Sequence, residues 1–211
     1  MTRGDRVEPD NEFARLLRDV LPAPCRDRPF VCDGLPQSCD VMLVGENPAT
    51  DLGGDWWDLW SDTDGCDKIA ADEAYLAGRR ARLERKRALG QMRARFISPT
   101  HDRTALFDLR LRAGNSRLVV TNVHRNGHQD GAGPEAISNL AVLRLLLVHM
   151  RRLKVVVVQG TKASKVLRGL DFPPTTVKIP SRHFSRSSGL AIQQLADEVL
   201  KIIAVSEVDQ C

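Results

Sequence analysis

Four short runs rich in β-branched residues punctuate the chain: Val41 to Val44, Leu118 to Val123, Val155 to Val158 and Thr175 to Ile179. Their apolar positions are consecutive rather than alternating, the pattern of strands buried on both faces of a sheet. Stretches with helical spacing separate them. Glu12 to Val20 precedes the first run, and Pro134 to Met150 repeats apolar residues at Ile137, Leu140, Ala141, Leu143 and Leu147 behind a proline suited to a first turn. Lys162 to Leu170 is shorter and closes on Gly169, while Leu190 to Val205 carries Leu195, Val199, Ile202 and Ile203. A strand that returns parallel to its predecessor needs a crossover, and helices are the usual crossover. The pattern therefore predicts an α/β fold of three layers, α/β/α, around a central, mainly parallel four-stranded sheet.

Ligands of such sheets bind outside the carboxyl ends of the strands. At that edge Gly45-Glu46-Asn47-Pro48 ends the first run, Thr121-Asn122 closes the second, and Ser181-Arg182-His183-Phe184-Ser185 follows the fourth. Between the first two runs lies a long insertion, about 49–115, which holds all three tryptophans. A connection of that length contains helices of its own, and Asp67 to Gln91 reads as one or two. With 211 residues, no internal repeat and no low-complexity linker, the expectation is one domain over residues 1–211.

Charge adds a feature that the apolar pattern lacks. The net charge is only +4, but Arg79 to Arg117 holds twelve Lys/Arg against three acids, whereas Asp51 to Glu73 holds eight acids against Lys68 alone. The basic stretch is either a solvated helix face or a surface that tracks phosphates, and only the second gives salt-dependent affinity for nucleic acid. Five cysteines without a C-x-x-C pair support neither a disulfide framework nor a zinc ribbon, so they read as reduced thiols and no metal is expected. No run is long enough to span a bilayer, and no signal-like apolar stretch follows Met1-Thr2-Arg3-Gly4-Asp5, so the expected location is cytoplasmic, away from membranes.

Three segments, in order, carry a resemblance. Val41-Met42-Leu43-Val44-Gly45-Glu46-Asn47-Pro48 resembles the first active-site motif of the uracil-DNA glycosylase superfamily, in the branches whose strand ends in Gly-x-Asn-Pro. Leu118-Val119-Val120-Thr121-Asn122-Val123 resembles the strand bearing that family's uracil-reading Asn, and His183-Phe184-Ser185-Arg186-Ser187-Ser188-Gly189 resembles its His-Pro-Ser motif. The run Val155 to Ala163 is similar to the family's strand that enters a helix through a Gly and a small residue. From Asp40 to Gly189 the elements keep the family order. The resemblance implies that Asn47 positions the attacking water, Asn122 reads the base and His183 faces uracil O2. It also implies a glycosylase without metal or organic cofactor, acting on DNA that contains uracil or a damaged base. Some members carry an iron–sulfur cluster on four cysteines, but the spacing of Cys25, Cys32, Cys39 and Cys66 does not resemble theirs. Phe184 stands where the motif has proline, and Arg186-Ser187 replaces the segment leading to the family's intercalating leucine. Gly53-Gly54-Asp55-Trp56-Trp57-Asp58-Leu59-Trp60 is similar to a little-characterised bacterial group within the superfamily.

The residue types suit the chemistry. Cleavage of an N-glycosidic bond builds positive charge on the sugar and negative charge on the departing base. His183 as a donor to that base supplies preorganised electrostatic stabilisation; its plain alternative is a capping histidine at a helix start. Asn122 offers a donor and an acceptor from one planar amide, matching N3–H and O4 of uracil, or else closes a turn. Glu46, beside Asn47, is either a general base or a solvent-facing loop carboxylate, and Asn47-Pro48 is a water site or a turn. Trp56, Trp57 and Trp60 provide faces on which a flipped base stacks, or anchor the insertion to the core. Ser185, Arg186, Ser187 and Ser188 precede a helical pattern, where they grip a DNA phosphate or cap the helix. Two other classes fit the same pattern: a nucleic-acid-binding module of this fold without catalysis, and an α/β enzyme acting on nucleotides or nucleosides. The absence of G-x-x-x-x-G-K-[ST] and G-x-G-x-x-G sequences argues against common phosphate and dinucleotide binders.

Overall fold

A computed structural model describes residues 11–48, 52, 54–90, 96–126 and 137–208. The first predicted run forms β2 (Val41–Gly45), every residue of which is buried. Before it come α1 (Asn11–Val20) and a two-residue strand, β1 (Phe30–Val31). The insertion supplies the small hairpin β3 (Trp60–Ser61) and β4 (Gly65–Cys66), then α2 (Lys68–Ala88) and α3 (Pro99–Ala113). After it follow β5 (Leu118–Asn122), α4 (Leu140–His149), β6 (Val155–Gln159), α5 (Gly160–Leu167), β7 (Val177–Ser181) and α6 (Gly189–Val208).

The main sheet has the order β1-β5-β2-β6-β7; β5, β2, β6 and β7 run parallel and β1 pairs antiparallel with β5. The sheet is thus mixed and five-stranded rather than four-stranded. A strand of two residues is too short to show any periodicity, which is why β1 escapes the sequence pattern. Strand β7 also departs from expectation. It begins two residues later than predicted, because Thr176 N donates to Pro173 O in a turn, and of its side chains only Ile179 is buried. As an edge strand it tolerates Lys178 and Pro180, neither of which suits a central position.

Side chains of the parallel strands alternate between two cores. Met42, Val44, Val119, Val156 and Val158 pack with Phe13 and Leu17 of α1, Leu143 and Leu146 of α4, and Ala163 of α5. Val41, Leu43, Leu118, Val155 and Val157 pack with Phe107 and Leu111 of α3 and with Ile192, Ala196 and Val199 of α6. Helices therefore cover both faces, and the consecutive apolar runs follow from that. Two helices differ from the sequence pattern. Helix α3 lies in the basic stretch, whose arginines mask the apolar positions Phe107 and Leu111; Ser98-Pro99 was its start signal, and Ser98 Oγ accepts from His101 N at 3.1 Å. Helix α4 begins at Leu140, because residues 137–139 pair instead with the chain beyond β5: Arg125 N donates to Ile137 O and Asn139 N to Val123 O. Pro134 lies outside the described residues. No helix among the described residues is long and apolar enough to cross a membrane.

The starts of three parallel strands are joined by one residue. Asp40 is 3% exposed. Its backbone N–H donates to Arg117 O (3.0 Å), and its carbonyl accepts from Lys154 N (2.8 Å) and Val155 N (3.2 Å). Its carboxylate accepts from Arg117 N (3.0 Å) through Oδ2 and from Arg152 Nη2 (2.8 Å) through Oδ1. Removing the carboxylate orphans a buried N–H and a cation, so Asp40→Ala is expected to cost about 2–4 kcal/mol in urea unfolding. The Arg152 side chain is 58% exposed, so Arg152→Ala is expected to cost under about 1 kcal/mol. Equal costs would show that the Arg152 ion pair, rather than the backbone join, dominates at Asp40.

Candidate functional site

The register set at Asp40 carries through to the opposite ends of the strands. Val41 pairs with Leu118 and Val155, Gly45 with Asn122, and Gln159 of β6 with Ser181 of β7. The polar residues that end the runs therefore reach one edge at one level. In chain order the parallel strands lie as second, first, third, fourth, so the order reverses between β2 and β6, the place where such sheets form a crevice.

A cavity of about 220 Å³ occupies that edge. It equals roughly seven waters at the ~30 Å³ each takes in the liquid, which suits one ring system better than an extended ligand. Glu46, Asn47, Asn122 and His183 all line it. The four residues expected at one edge are thus brought together. Gly45 makes room for Asn122: a Cβ at residue 45 would lie 2.5 Å from Asn122 Oδ1, so only glycine lets the amide rest over the end of β2. The backbone beneath Asn122 is held by Asn139, whose Nδ2 lies 2.9 Å from Asn122 O, 2.8 Å from Pro29 O and 3.1 Å from Thr121 Oγ1. Asn139 thus holds the end of the strand on which the Asn122 amide is presented.

His183 follows β7. Its Nδ1 accepts from Ser185 N (3.3 Å) and lies 2.7 Å from Ser185 Oγ. A neutral ring whose Nδ1 accepts carries its proton on Nε2. Burial, with the nearby Arg186 charge, pushes the His183 pKa below its ordinary 6.5, against an upward pull from Glu46, so the ring is neutral at pH 7. Phe184, the departure from proline, is fully buried against Phe107 (ring centroids 5.6 Å apart), and its N–H donates to Gln159 Oε1 at 3.2 Å. It pins the turn that presents His183. Glu46 accepts from Lys162 Nζ at 2.7 Å and sits at the mouth.

Other residues proposed for the site serve elsewhere. Trp56 is fully buried, stacks on Trp60 (5.6 Å, 22°) and packs on Phe30 (4.9 Å). The indole N–H groups donate to Phe30 O, Leu21 O and Asp62 Oδ1, from Trp56, Trp57 and Trp60 respectively. None of the three lines the cavity. They anchor the insertion to α1 and β1, and base stacking by them is corrected on that ground. Ser188 Oγ accepts from Ala191 N (3.2 Å) and caps α6, and Ser187 O accepts from Arg103 Nε (3.1 Å). Ser185 and Arg186 instead border a second, open concavity of about 960 Å³ beside the first. Lys162, Lys165, Arg168, Arg182 and Arg186 line this groove, and among the described residues Glu46 is its only acid.

The basic stretch divides. Arg110 pairs with Asp197 (2.6 Å), Arg112 with Asp33 (2.8 Å) and Asp108 (3.1 Å), and Arg117 donates to Ser38 Oγ (3.2 Å), so this part is tied into the fold. Arg93 and Arg95 lie outside the described residues. Cys25, Cys32, Cys39 and Cys66 are buried free thiols, and burial pushes Cys32 well up. Among the described residues, no group of three or more His, Cys, Asp or Glu side chains is placed to hold a metal ion. Cys211 lies outside the described residues.

Several lining residues carried little sequence signal. Gln159 ends an apolar run just as Asn122 does, so the same rule would have found it. Arg28, Tyr75 and His101 come from three separate segments. No family model matches the chain, and no curated protein matches it either.

Two outcomes test this geometry. Gly45→Ala is expected to leave stability within about 1 kcal/mol, because the displaced atom ends a side chain, yet to turn the Asn122 amide, visible as a shift of its side-chain NMR signals. An unmoved Asn122 amide would refute the close approach. Burial pushes the pKa values of both His101 and His183 below 6.5, so the unfolded chain binds more protons just below that pH. Stability is therefore expected to fall as pH drops from 7 through 6.5 towards the folded values, and His101→Gln to flatten the fall in thermal melts.

Proposed function

We propose that the protein is a DNA glycosylase that hydrolyses the N-glycosidic bond of uracil, or a related damaged base, in a nucleotide flipped into the cavity at the carboxyl edge. The observation that carries this reading is the convergence of Asn47, Asn122 and His183 around one ring-sized cavity. Helices on both faces of the sheet agree with the three-layer α/β/α fold of the uracil-DNA glycosylase superfamily, which belongs to the same proposal.

In this mechanism Asn122 reads the edge of the base with its amide, one donor and one acceptor in a plane. As the bond to the sugar stretches, negative charge moves onto the base. His183, neutral and protonated on Nε2, donates to the base oxygen and gains strength as that charge develops. Asn47 orients a water towards the anomeric carbon. Glu46, held at the mouth by Lys162, takes the proton as the water adds. Extrusion of the nucleotide costs several kcal/mol, and the groove of Lys162, Lys165, Arg168, Arg182 and Arg186 offsets it by gripping the flanking phosphates. The phosphate path thus runs past α5 and the His183 turn rather than along α3.

Release of uracil from a labelled single-stranded oligonucleotide tests the reaction. His183→Ala is expected to slow single-turnover release by roughly a hundredfold while retaining most of the DNA affinity. Lys165→Glu with Arg168→Glu is expected to flatten the dependence of log affinity on log salt, whereas Arg85→Glu with Arg87→Glu in α2 leaves it unchanged. Salt-sensitive binding without release of any base would replace the reaction with the nucleic-acid-binding module.

A further inference from the structure

One wall of the cavity has no role in that mechanism. It is built by Arg28, which precedes β1, by Tyr75 of α2 and by His101 of α3. Tyr75 and His101 stack face to face, with ring centroids 4.1 Å apart and planes 12° from parallel. Ser98 locks the pair, because its Oγ lies 3.1 Å from both Tyr75 Oη and His101 N. The Arg28 guanidinium lies 5.8 Å from the Tyr75 ring centroid, and the Arg28 backbone N–H donates to Arg125 O at 2.8 Å. The backbone bond anchors the residue, and the guanidinium lies near the Tyr75 ring.

Among the described residues, Arg28 lacks the carboxylate partner that a half-buried cation normally has. A smaller cavity of about 50 Å³ shares Arg28 and His101 with the main one and is bordered by Lys68, Asp72 and Asp108. Both of these carboxylates are already engaged. Asp72 accepts from Lys68 (2.7 Å), and Asp108 pairs with Lys68 (3.6 Å) and Arg112 (3.1 Å). Among the described residues no carboxylate lies within ion-pair distance of Arg28. Burial pushes the Arg28 pKa down and the more distant Asp72 pulls it up, but a guanidinium stays charged in proteins. His101, held below its ordinary pKa by burial and by the Arg28 charge, adds no second charge at pH 7. Gln159 gives its Oε1 to Phe184 N, which leaves its NH₂ group for donation. With the Nε2–H of His183 and the amides of Asn47 and Asn122, the cavity is rich in donors, and its one carboxylate among the described residues, Glu46, is tied to Lys162.

A forked cation selects two adjacent acceptors. Uracil has none, since N3–H separates its two oxygens. The O6/N7 edge of a 6-oxopurine does, and it is the partner that arginine takes in bidentate fashion when reading bases. We propose that Arg28 is a specificity-determining residue whose fork holds the O6/N7 edge of a 6-oxopurine, so that a deaminated purine is preferred to uracil. Hypoxanthine is the simplest such base. The inference rests on the glycosylase reading of the cavity for its consequence in DNA, but not for the binding of free bases.

Two measurements separate the inference from that reading. Calorimetric titration of the intact protein with free hypoxanthine and free uracil is expected to favour hypoxanthine, and Arg28→Lys, which keeps the charge but loses the fork, to weaken hypoxanthine by about tenfold to a hundredfold while leaving uracil unchanged. Arg28→Gln, with its fold checked by melting temperature, should do the same. Release from single-stranded oligonucleotides containing hypoxanthine or uracil should follow the same order. If no base is released from either oligonucleotide but the titration gives the expected pattern, the glycosylase reading fails and the role of Arg28 stands. Tighter binding of uracil, or equal losses for both bases in Arg28→Lys, overturns it.

Discussion

The arrangement of this protein depends on the buried hydrogen bonds around Asp40. In a parallel sheet each strand arrives by its own crossover, and nothing local sets its register. Asp40 supplies that reference: its N–H and carboxylate meet Arg117 at the start of β5, and its carbonyl meets Lys154 and Val155 at the start of β6. Five residues later the same register delivers Gly45, Asn122 and Gln159 to one level. A slip of one residue would turn every side chain to the opposite face, exchanging the cores and dispersing the polar ends. The candidate site is therefore a consequence, at the carboxyl edge, of hydrogen bonds made at the other.

A second constraint comes from the aromatic cluster. Trp56, Trp57 and Trp60 each satisfy an indole N–H, and with Trp60 on Phe13 and Trp56 and Trp60 on Phe30 this fastens the insertion beside β1 and α1. Indoles are costly to bury unpaired, so a motif with three of them in five residues is strongly specified by its partners. With that end fixed, α2 and α3 bring Tyr75, Ser98 and His101 over the sheet edge. The insertion thus closes the cavity through helices distant in sequence from the tryptophans that anchor it.

Electrostatically, the edge consists of two unlike concavities in contact. The small one presents hydrogen-bond donors and a single guanidinium; the large one is an open basic groove. Glu46, Gln159 and His183 belong to both, so a ligand that spans them places a compact polar group in one and anionic groups along the other. A nucleotide within a strand has that construction. Arg110 and Arg112 of α3, part of a charge run prominent in the sequence, are neutralised by Asp33, Asp108 and Asp197 and contribute little to this field.

Much of this was legible in the sequence. Continuous apolar runs identify doubly covered strands, their alternation with helices identifies a parallel sheet, and the polar residues that end those runs mark the functional edge, because each of these signals is local and periodic. Glu46, Asn47, Asn122 and His183 lie in those run-end segments, and the resemblance to glycosylase motifs is what singled out Asn47, Asn122 and His183 within them. Tertiary structure decided the rest. Strand β1 is too short for periodicity, α3 is masked by its arginines, and whether a tryptophan lines a cavity or fills a core depends on which acceptor meets its N–H. Arg28 stands out only when Asp72 and Asp108 are seen to be committed to Lys68 and Arg112, since whether a charge is paired depends on neighbours that the chain brings together from far apart.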